Sequence, residues 1–182
     1  MSRSELVKVS KFLALVLRHK PGEIGLELDE EGWAEIRELL QKSAAKGRNI
    51  SDEQLRKVVE VDSKQRYSLS EDGLRIRANQ GHSVSVDLGL EAVKPPEILY
   101  HGTVERFVDS IREQGLIRGS RHHVHLSADR QTAEQVGRRR GIPVILLVKS
   151  AAMAGAGHHF YLSANGVWLV ESVPIEFLEF PE

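Results

Sequence analysis

Apolar residues from Ser4 to about Arg18 recur at steps of three and four: Leu6, Val9, Phe12, Leu13, Val16 and Leu17. That spacing predicts a helix with one buried stripe. Ser2 and Glu5 fit a capping box at its start, and Pro21-Gly22 stops it. A short extended piece is expected over residues 24–28, running into the turn Asp29-Glu30-Glu31-Gly32. Trp33 then leads a second predicted helix, with Ile36, Leu39 and Leu40 as its stripe. Ser51-Asp52-Glu53-Gln54 repeats the capping-box pattern before a third, with Leu55, Val58 and Val59 on one side. Two strand-like runs follow, residues 66–70 and 74–78, and Glu71-Asp72-Gly73 between them reads as a hairpin turn. Three helices and a hairpin within about eighty residues suggest a winged-helix module, a fold that serves nucleic acids in some proteins and packing in others.

The pattern changes after Lys94-Pro95-Pro96, a stiff, extended stretch that makes a domain boundary. The expected division is a first lobe over residues 1–83, a linker over 84–96 and a second lobe over 97–182. Beyond the boundary, short strands alternate with short helices. Strands are predicted over residues 98–100, 123–127, 143–148, 160–162, 167–170 and 175–178. Helices are predicted over 104–114, closed by Gly115, and over about 130–140. The run from Pro143 to Val148 is continuously apolar, as for a strand buried on both faces. Asn165-Gly166 is a strong hairpin turn. The fold class expected is α+β, with a strand-rich second lobe.

Composition narrows the functions available. Of the 182 residues, 41% are hydrophobic and 28% charged, the balance of a globular chain. No apolar run approaches the ~20 residues that span a bilayer, and the first residues carry no signal-peptide core. A cytoplasmic location is expected, without a membrane partner. Zero cysteines exclude disulfides, thiolate metal sites and thiol nucleophiles. A net charge of −1 gives no global pull toward nucleic acid, so local clusters must carry any such binding. The candidates are Arg18-His19-Lys20, Arg75 with Arg77, Arg118 with Arg121, and Arg138-Arg139-Arg140, each of which has the plain alternative of solvated surface charge.

The densest chemistry lies in Arg121-His122-His123-Val124-His125-Leu126-Ser127. In a strand, alternation sends His123 and His125 to one face and Val124 and Leu126 to the other, with Arg121 at the strand's mouth. Such a polar face suits a cleft for an anionic or ribose-bearing ligand. Tyr100-His101-Gly102-Thr103 follows a predicted strand. There Gly102 would let a ligand approach the backbone while His101 and Thr103 bond a ribose or an amide; alternatively, Thr103 merely caps a helix. Arg18-His19 ends the first helix, where positive charge either complements the helix dipole or binds phosphate. Arg66, beside Tyr67, begins the hairpin, and Gln80-Gly81-His82-Ser83 closes it. Eight histidines without cysteine partners or an H-E-x-x-H helix make a metal site an unattractive reading. No G-x-S-x-G elbow, G-x-G-x-x-G fingerprint or P-loop occurs.

These motifs together resemble one family. Leu17-Arg18-His19, Lys64-Gln65-Arg66-Tyr67, Ala78 to Ser83, Tyr100 to Thr103, Arg121 to Ser127 and Asn165-Gly166-Val167-Trp168-Leu169 stand in the order found in NAD-dependent RNA 2′-phosphotransferases, which act in tRNA splicing. The resemblance covers nearly the whole chain. It implies an amino-terminal winged-helix lobe that binds RNA and a carboxy-terminal lobe of ADP-ribosyltransferase-like fold that binds NAD, consumed as co-substrate with no metal. In that family an internal RNA 2′-phosphate attacks the nicotinamide-bearing ribose carbon of NAD and expels nicotinamide. A ribose hydroxyl of the ADP-ribose then attacks the phosphate, giving 2′-hydroxyl RNA and ADP-ribose 1″,2″-cyclic phosphate.

The resemblance implies catalytic roles for Arg18, His19, Arg66 and Arg121. It implies cofactor contacts for His101, Gly102, Thr103, His125, Leu126 and Ser127, and RNA or phosphate contacts for Gln80, Gly81, His82 and Ser83. His122 and His123 are the weaker members of their segment. Arginines aimed at a phosphoryl group stabilise its developing charge, and His19 would bond phosphate or move a proton. Related transferases often carry a glutamate on a later strand; the matching strand here, Val167-Trp168-Leu169, starts without an acid. An anionic phosphate nucleophile needs no general base, which suits that difference. Two alternatives stay open: ADP-ribosylation that caps terminal phosphates of nucleic acids, and an RNA- or ADP-ribose-binding module without activity. No obligate protein partner is evident.

Overall fold

A computed structural model describes residues 2–181. The chain divides into two compact units, Met1–Gly89 and Leu90–Glu182.

The first unit begins with α1, Arg3–Arg18, whose capping box is formed: Glu5 N–H donates to Ser2 Oγ at 3.3 Å and Ser2 N–H to Glu5 Oε2 at 2.6 Å. Phe12, Leu13, Val16 and Leu17 are its buried stripe. The run expected to be extended over 24–28 forms no strand, following instead a 3₁₀ turn at Pro21–Glu23. Ile24 and Leu26 are buried, so the alternation was real, but it serves an irregular segment.

Trp33, expected to lead a helix, lies in a strand, β1, Trp33–Glu35. The Asp29 carboxylate accepts the N–H groups of Glu31 and Trp33 at 3.0 and 2.8 Å, which closes a turn and sends the chain out extended. Helix α2 then spans Ile36–Ala45, and α3, Asp52–Val61, opens on the Ser51–Gln54 capping box. Strands β2, Tyr67–Leu69, and β3, Arg75–Ala78, form the hairpin, and β1 pairs on the other side of β3. Ile76, opposite both Ala34 and Leu69, is fully buried at the centre of this β1-β3-β2 sheet. The three helices cover the sheet around one core.

In the second unit β4, Leu99–Val104, is followed by a 3₁₀ turn at Glu105–Phe107, by α4, Val108–Gln114, and by β5, Leu116–Ile117. Next come β6, Val124–Leu126, α5, Arg130–Gly137, β7, Pro143–Val148, and α6, Ser150–Gly155. The last strands are β8, Tyr161–Leu162, β9, Trp168–Val170, β10, Ser172–Val173, and β11, Leu178–Glu179. All pairings are antiparallel, in sheets ordered β11-β7-β4, β6-β9-β8 and β10-β5. An isolated bridge between Tyr100 and Ser127 ties β4 to β6, with reciprocal bonds of 2.9 and 2.8 Å. The expected strand over 175–178 is a 3₁₀ turn that enters β11 at Leu178. Small antiparallel sheets and helices in mixed order make the chain α+β.

Helix α5 lies on β4 and β7 at unusually short range. A Cβ on Gly102 would stand 1.8 Å from the Ala133 carbonyl oxygen, and one on Gly137 would stand 2.9 Å from the Thr103 carbonyl oxygen and from Pro143 Cβ. Glycine at both positions is what lets helix and sheet meet backbone to backbone.

Candidate active site

In the first unit, the end of α1, the start of β2 and the segment after β3 come together around Arg18. His19 caps α1, and its Nδ1 lies 3.0 Å from Ser83 Oγ. Ser83 N–H donates to the Arg18 carbonyl at 2.8 Å, fixing the chain after the hairpin against the helix end. Arg18 Nη2 reaches the Arg66 carbonyl at 3.4 Å, and its guanidinium stands 5.9 Å from the centre of the Tyr67 ring. Tyr67 is buried and its hydroxyl donates to the Ser10 carbonyl at 2.6 Å; burial pushes its pKa up, so it keeps its proton and serves as a wall.

Asp62 holds Arg66. Its carboxylate accepts the Arg66 N–H at 2.8 Å and pairs with Arg66 Nη1. Between them Gln65 takes a left-handed φ of 43°, and its carbonyl accepts from Asn79 Nδ2 at 2.6 Å. Asn79 N–H in turn donates to the Arg66 carbonyl at 2.8 Å. Arg18, His19, Arg66 and Ser83 are thus gathered by main-chain bonds. Gln80 is half-buried, and Gly81 turns the chain at φ 88°. His82 departs from expectation in its place: it is 2% exposed, its ring packed where a Cβ on Gly32 would fall 3.4 Å from Nε2. Asp62 and Asn79 escaped the sequence reading, although an acid four residues before an arginine was a signal in plain view.

In the second unit, alternation along β4 points the Tyr100 N–H and C=O toward β6, where Ser127 takes both. The same alternation points the main-chain groups of Gly102 that way, past the bridge. His101 Nδ1 lies 3.0 Å from the His125 carbonyl. A carbonyl can only accept, so Nδ1 carries the proton. Burial above all, with the charge of Arg140 in addition, lowers the His101 pKa from its usual 6.5 against the opposing pull of that bond. His101 is therefore neutral at neutral pH, with Nε2 an acceptor for a hydroxyl.

Arg121 Nη1 lies 3.3 Å from His125 Nδ1, an arrangement in which the guanidinium donates and Nδ1 accepts. Desolvation, then the charges of Arg140 and Arg139, lower the Arg121 pKa. His101 and Thr103 line a cleft of about 180 Å³ whose other walls include Phe107, Ser110, Gln114, Ile117 and Arg140. Of those five only Arg140 stood out in the sequence, as the last of the Arg138-Arg139-Arg140 cluster; the others lie on or beside α4, which read as a plain helix. Leu126 is 1% exposed and belongs to the core, so its main chain is what it can offer a ligand. Ser127 commits its main chain to Tyr100, which leaves its hydroxyl. The close neighbour of Gly102 is α5 itself, so its missing side chain makes room for a helix. His123 lies tilted against Tyr161 with ring centres 5.5 Å apart, and Arg118 Nη1 donates to the His122 carbonyl at 3.3 Å. Among the described residues no three His, Asp or Glu side chains gather as a metal ligand set, and no helix is long and apolar enough to cross a membrane.

A cluster of arginine and histidine in one unit and a cleft of about 180 Å³ with a neutral imidazole in the other suit an enzyme that handles phosphate. Comparison with known proteins gives the class a name. The model of the RNA 2′-phosphotransferase, Tpt1 / KptA family matches residues 4–172. A "Probable RNA 2′-phosphotransferase" of Rhodopirellula baltica is 56% identical over 178 residues, 97% of each chain. Proteins of the same description from Flavobacterium johnsoniae and Nostoc punctiforme are 52% and 53% identical; the alignments cover 99% of this chain and 99% of the first relative, and 98% and 99% for the second. The chain belongs to the RNA 2′-phosphotransferase family, and is a transferase.

Proposed function

We propose that this protein removes an internal 2′-phosphate from RNA, of the kind left at a tRNA splice junction, by transferring it to the ADP-ribose part of NAD. The observation that carries the reading is the chain from Arg121 through His125 to His101, beside a cleft of about 180 Å³. Neutral His101 would accept from a ribose hydroxyl through Nε2. Gly102, with its N–H and C=O turned past the Tyr100–Ser127 bridge, would meet the carboxamide of nicotinamide. The apolar side of the cleft, Phe107, Ile111, Leu116 and Ile117, suits a flat base, and Thr103, Ser110 and Gln114 supply hydroxyl and amide partners. These features suit an ADP-ribosyltransferase-like unit: two three-stranded antiparallel sheets joined at one bridge, with a histidine on the joining strand.

The first unit would hold the phosphorylated RNA. Its order α1-β1-α2-α3-β2-β3, with β1 on the open side of the hairpin strand, supports a winged-helix reading. The α3 helix of this unit spends its basic groups internally, Arg56 on Asp52 at 2.6 Å and Lys57 on Glu60 at 2.9 Å. Phosphate recognition would fall instead to Arg18, His19 and Arg66, with Gln80 to Ser83 bracing the site and Ser83 orienting the His19 ring. In the reaction, Arg18 and Arg66 stabilise negative charge that builds on the phosphoryl group, the task that the family resemblance also gives to Arg121. His19 donates a hydrogen bond to the phosphate, or takes the proton of the attacking ribose hydroxyl and passes one to the departing RNA 2′-oxygen. Nicotinamide is the leaving group, the 2′-phosphate the nucleophile already ionised, and a general base is not required for the first step. A cysteine-free chain of this kind suits the cytoplasm.

The test is nicotinamide release. Protein with NAD and an internally 2′-phosphorylated RNA should free nicotinamide in step with 2′-hydroxyl RNA, and RNA without the 2′-phosphate should free none. Stable ADP-ribosylated RNA with no 2′-hydroxyl product would replace this reading with the capping reaction. No nicotinamide with the correct RNA would leave a binding module.

A further inference from the structure

The three consecutive arginines after α5 have different fates. Arg138 turns back along the helix to Glu134, Nη2 to Oε1 at 2.5 Å. Arg140 does not. Its N–H donates to the Gly137 carbonyl at 2.9 Å, Gly141 turns the chain at φ 144°, and its side chain forms part of the wall of the cleft that holds His101 and Thr103. There the guanidinium stands 6.0 Å from the centre of the Phe107 ring. Among the described residues, no carboxylate forms an ion pair with Arg140, Arg139 or Arg121.

Their charges are nevertheless close enough to be felt. After desolvation, Arg140 is the largest influence that disfavours the charged form of Arg121, and it adds to burial in disfavouring the charged form of His101. Cations gathered without a counter-ion raise one another's energy, and an anion relieves that repulsion on arrival. Among the described residues no ion pair supplies one.

We propose that Arg140 is a diphosphate-binding residue, gripping the linked phosphates of an ADP-ribose-containing ligand at the mouth of the cleft. This rests on the NAD reading above and adds a site to it. At about 180 Å³ the cleft is smaller than the ~300–1,000 Å³ of a typical ligand pocket, so it would hold the nucleoside part of such a ligand and not the whole. The diphosphate attached to that nucleoside must leave through the open side, and among the residues that line the cleft Arg140 is the exposed cation. A planar guanidinium matches two phosphate oxygens at once, and this one, 6.0 Å from the centre of the Phe107 ring, has among the described residues no ion-paired carboxylate to compete. Arg121 then stays available to the transferred phosphate.

The experiment is calorimetric titration of the full chain with ADP-ribose, and competition by adenosine, in wild type, Arg140→Met, Arg140→Lys and Arg138→Met. Arg140→Met should weaken ADP-ribose at least about tenfold, the loss of a charge-assisted contact, while adenosine changes less than about twofold. Arg140→Lys should recover part of the loss, and Arg138→Met, whose partner is Glu134, should match wild type. The salt dependence of ADP-ribose binding should also flatten in Arg140→Met. An unchanged ADP-ribose affinity, or an equal fall for adenosine, overturns the proposal. So does a raised KM for 2′-phosphorylated RNA with ADP-ribose binding intact, which would give the anion to RNA. Wild-type protein that binds neither NAD nor ADP-ribose would overturn the NAD reading itself, a different result from a variant that merely matches wild type.

Discussion

Replacing Gly102 by alanine puts one methyl group where the second unit has no room for it. The Cβ would lie 1.8 Å from the Ala133 carbonyl oxygen, 2.7 Å from the carbonyl carbon and 3.0 Å from the Gly137 nitrogen, all backbone atoms of α5. Ordinary contact begins near 3.4 Å. No rotamer relieves the clash, so α5 must retreat from β4 by more than an ångström, opening its contacts with β7 as well. Overpacking a dense interior costs about 1–3 kcal/mol, and a helix that must move as a body belongs at the upper end. In a unit of this size each kcal/mol is worth roughly 4–8 °C, so a fall of about 12–24 °C in Tm is expected. Gly155→Ala is the control, because a Cβ there meets nothing within 4 Å; its Tm should move by no more than a few degrees. Circular dichroism melts of the full chain, with NAD binding measured well below the transition, decide the matter. A Gly102→Ala protein that melts with wild type refutes the packing account. If it also loses NAD, the glycine serves the ligand after all.

Other consequences follow from single contacts. The His101 imidazole should titrate below 6.5 by NMR. Between that lower pKa and 6.5 the unfolded chain binds a proton that the folded one refuses, so stability should rise with pH through this window and level off above it; His101→Gln should flatten the rise. NAD affinity, needing an unprotonated Nε2, should be constant above 6.5 and fall only in more acid solution. Arg121→Ala should cut turnover by two orders of magnitude or more yet lower Tm by only a few degrees, since the residue is exposed; equal loss of Tm and activity would contradict its role at the phosphate. Asp62→Ala leaves Arg66 without its carboxylate partner, and kcat should fall at least about tenfold with NAD affinity unchanged; a variant as active as wild type would show that Arg66 positions itself.

Local signals in the sequence were the reliable ones. Both capping boxes form as Ser2/Glu5 and Ser51/Gln54 predict, because each involves atoms three residues apart. The Asn165-Gly166 turn is likewise where its dipeptide put it, and the run Pro143–Val148 where its apolar pattern did. Nonlocal pairing defeated the same logic. Trp33, Ile36 and Leu40 continue a helical stripe on paper, and the strand at Trp33–Glu35 exists because β3 offers an edge to it. The two-residue strands β5 and β10 carry no pattern of their own; Leu116–Ile117 is extended because Ser172–Val173 lies beside it.

The site divides in the same way. Arg18, His19, Arg66 and the histidines of β4 and β6 stand out by residue type. What each one does depends on partners far off in the chain: His101 takes its tautomer from a carbonyl 24 residues away, and His82 is buried against Gly32 while its neighbour Ser83 meets His19. Nor does residue type tell whether a glycine makes way for a ligand or for a helix, and Gly102 makes way for α5. The arginine run looked uniform, yet Arg138, at the end of α5, pairs with Glu134 while Arg140, two residues further on, lines the cleft.

The central claim concerns where one phosphorus atom goes. RNA labelled in its internal 2′-phosphate, incubated with the protein and NAD, should deliver the label to ADP-ribose as a cyclic phosphate while the RNA regains a 2′-hydroxyl. Label released as inorganic phosphate, or transferred at the same rate without NAD, would contradict the account.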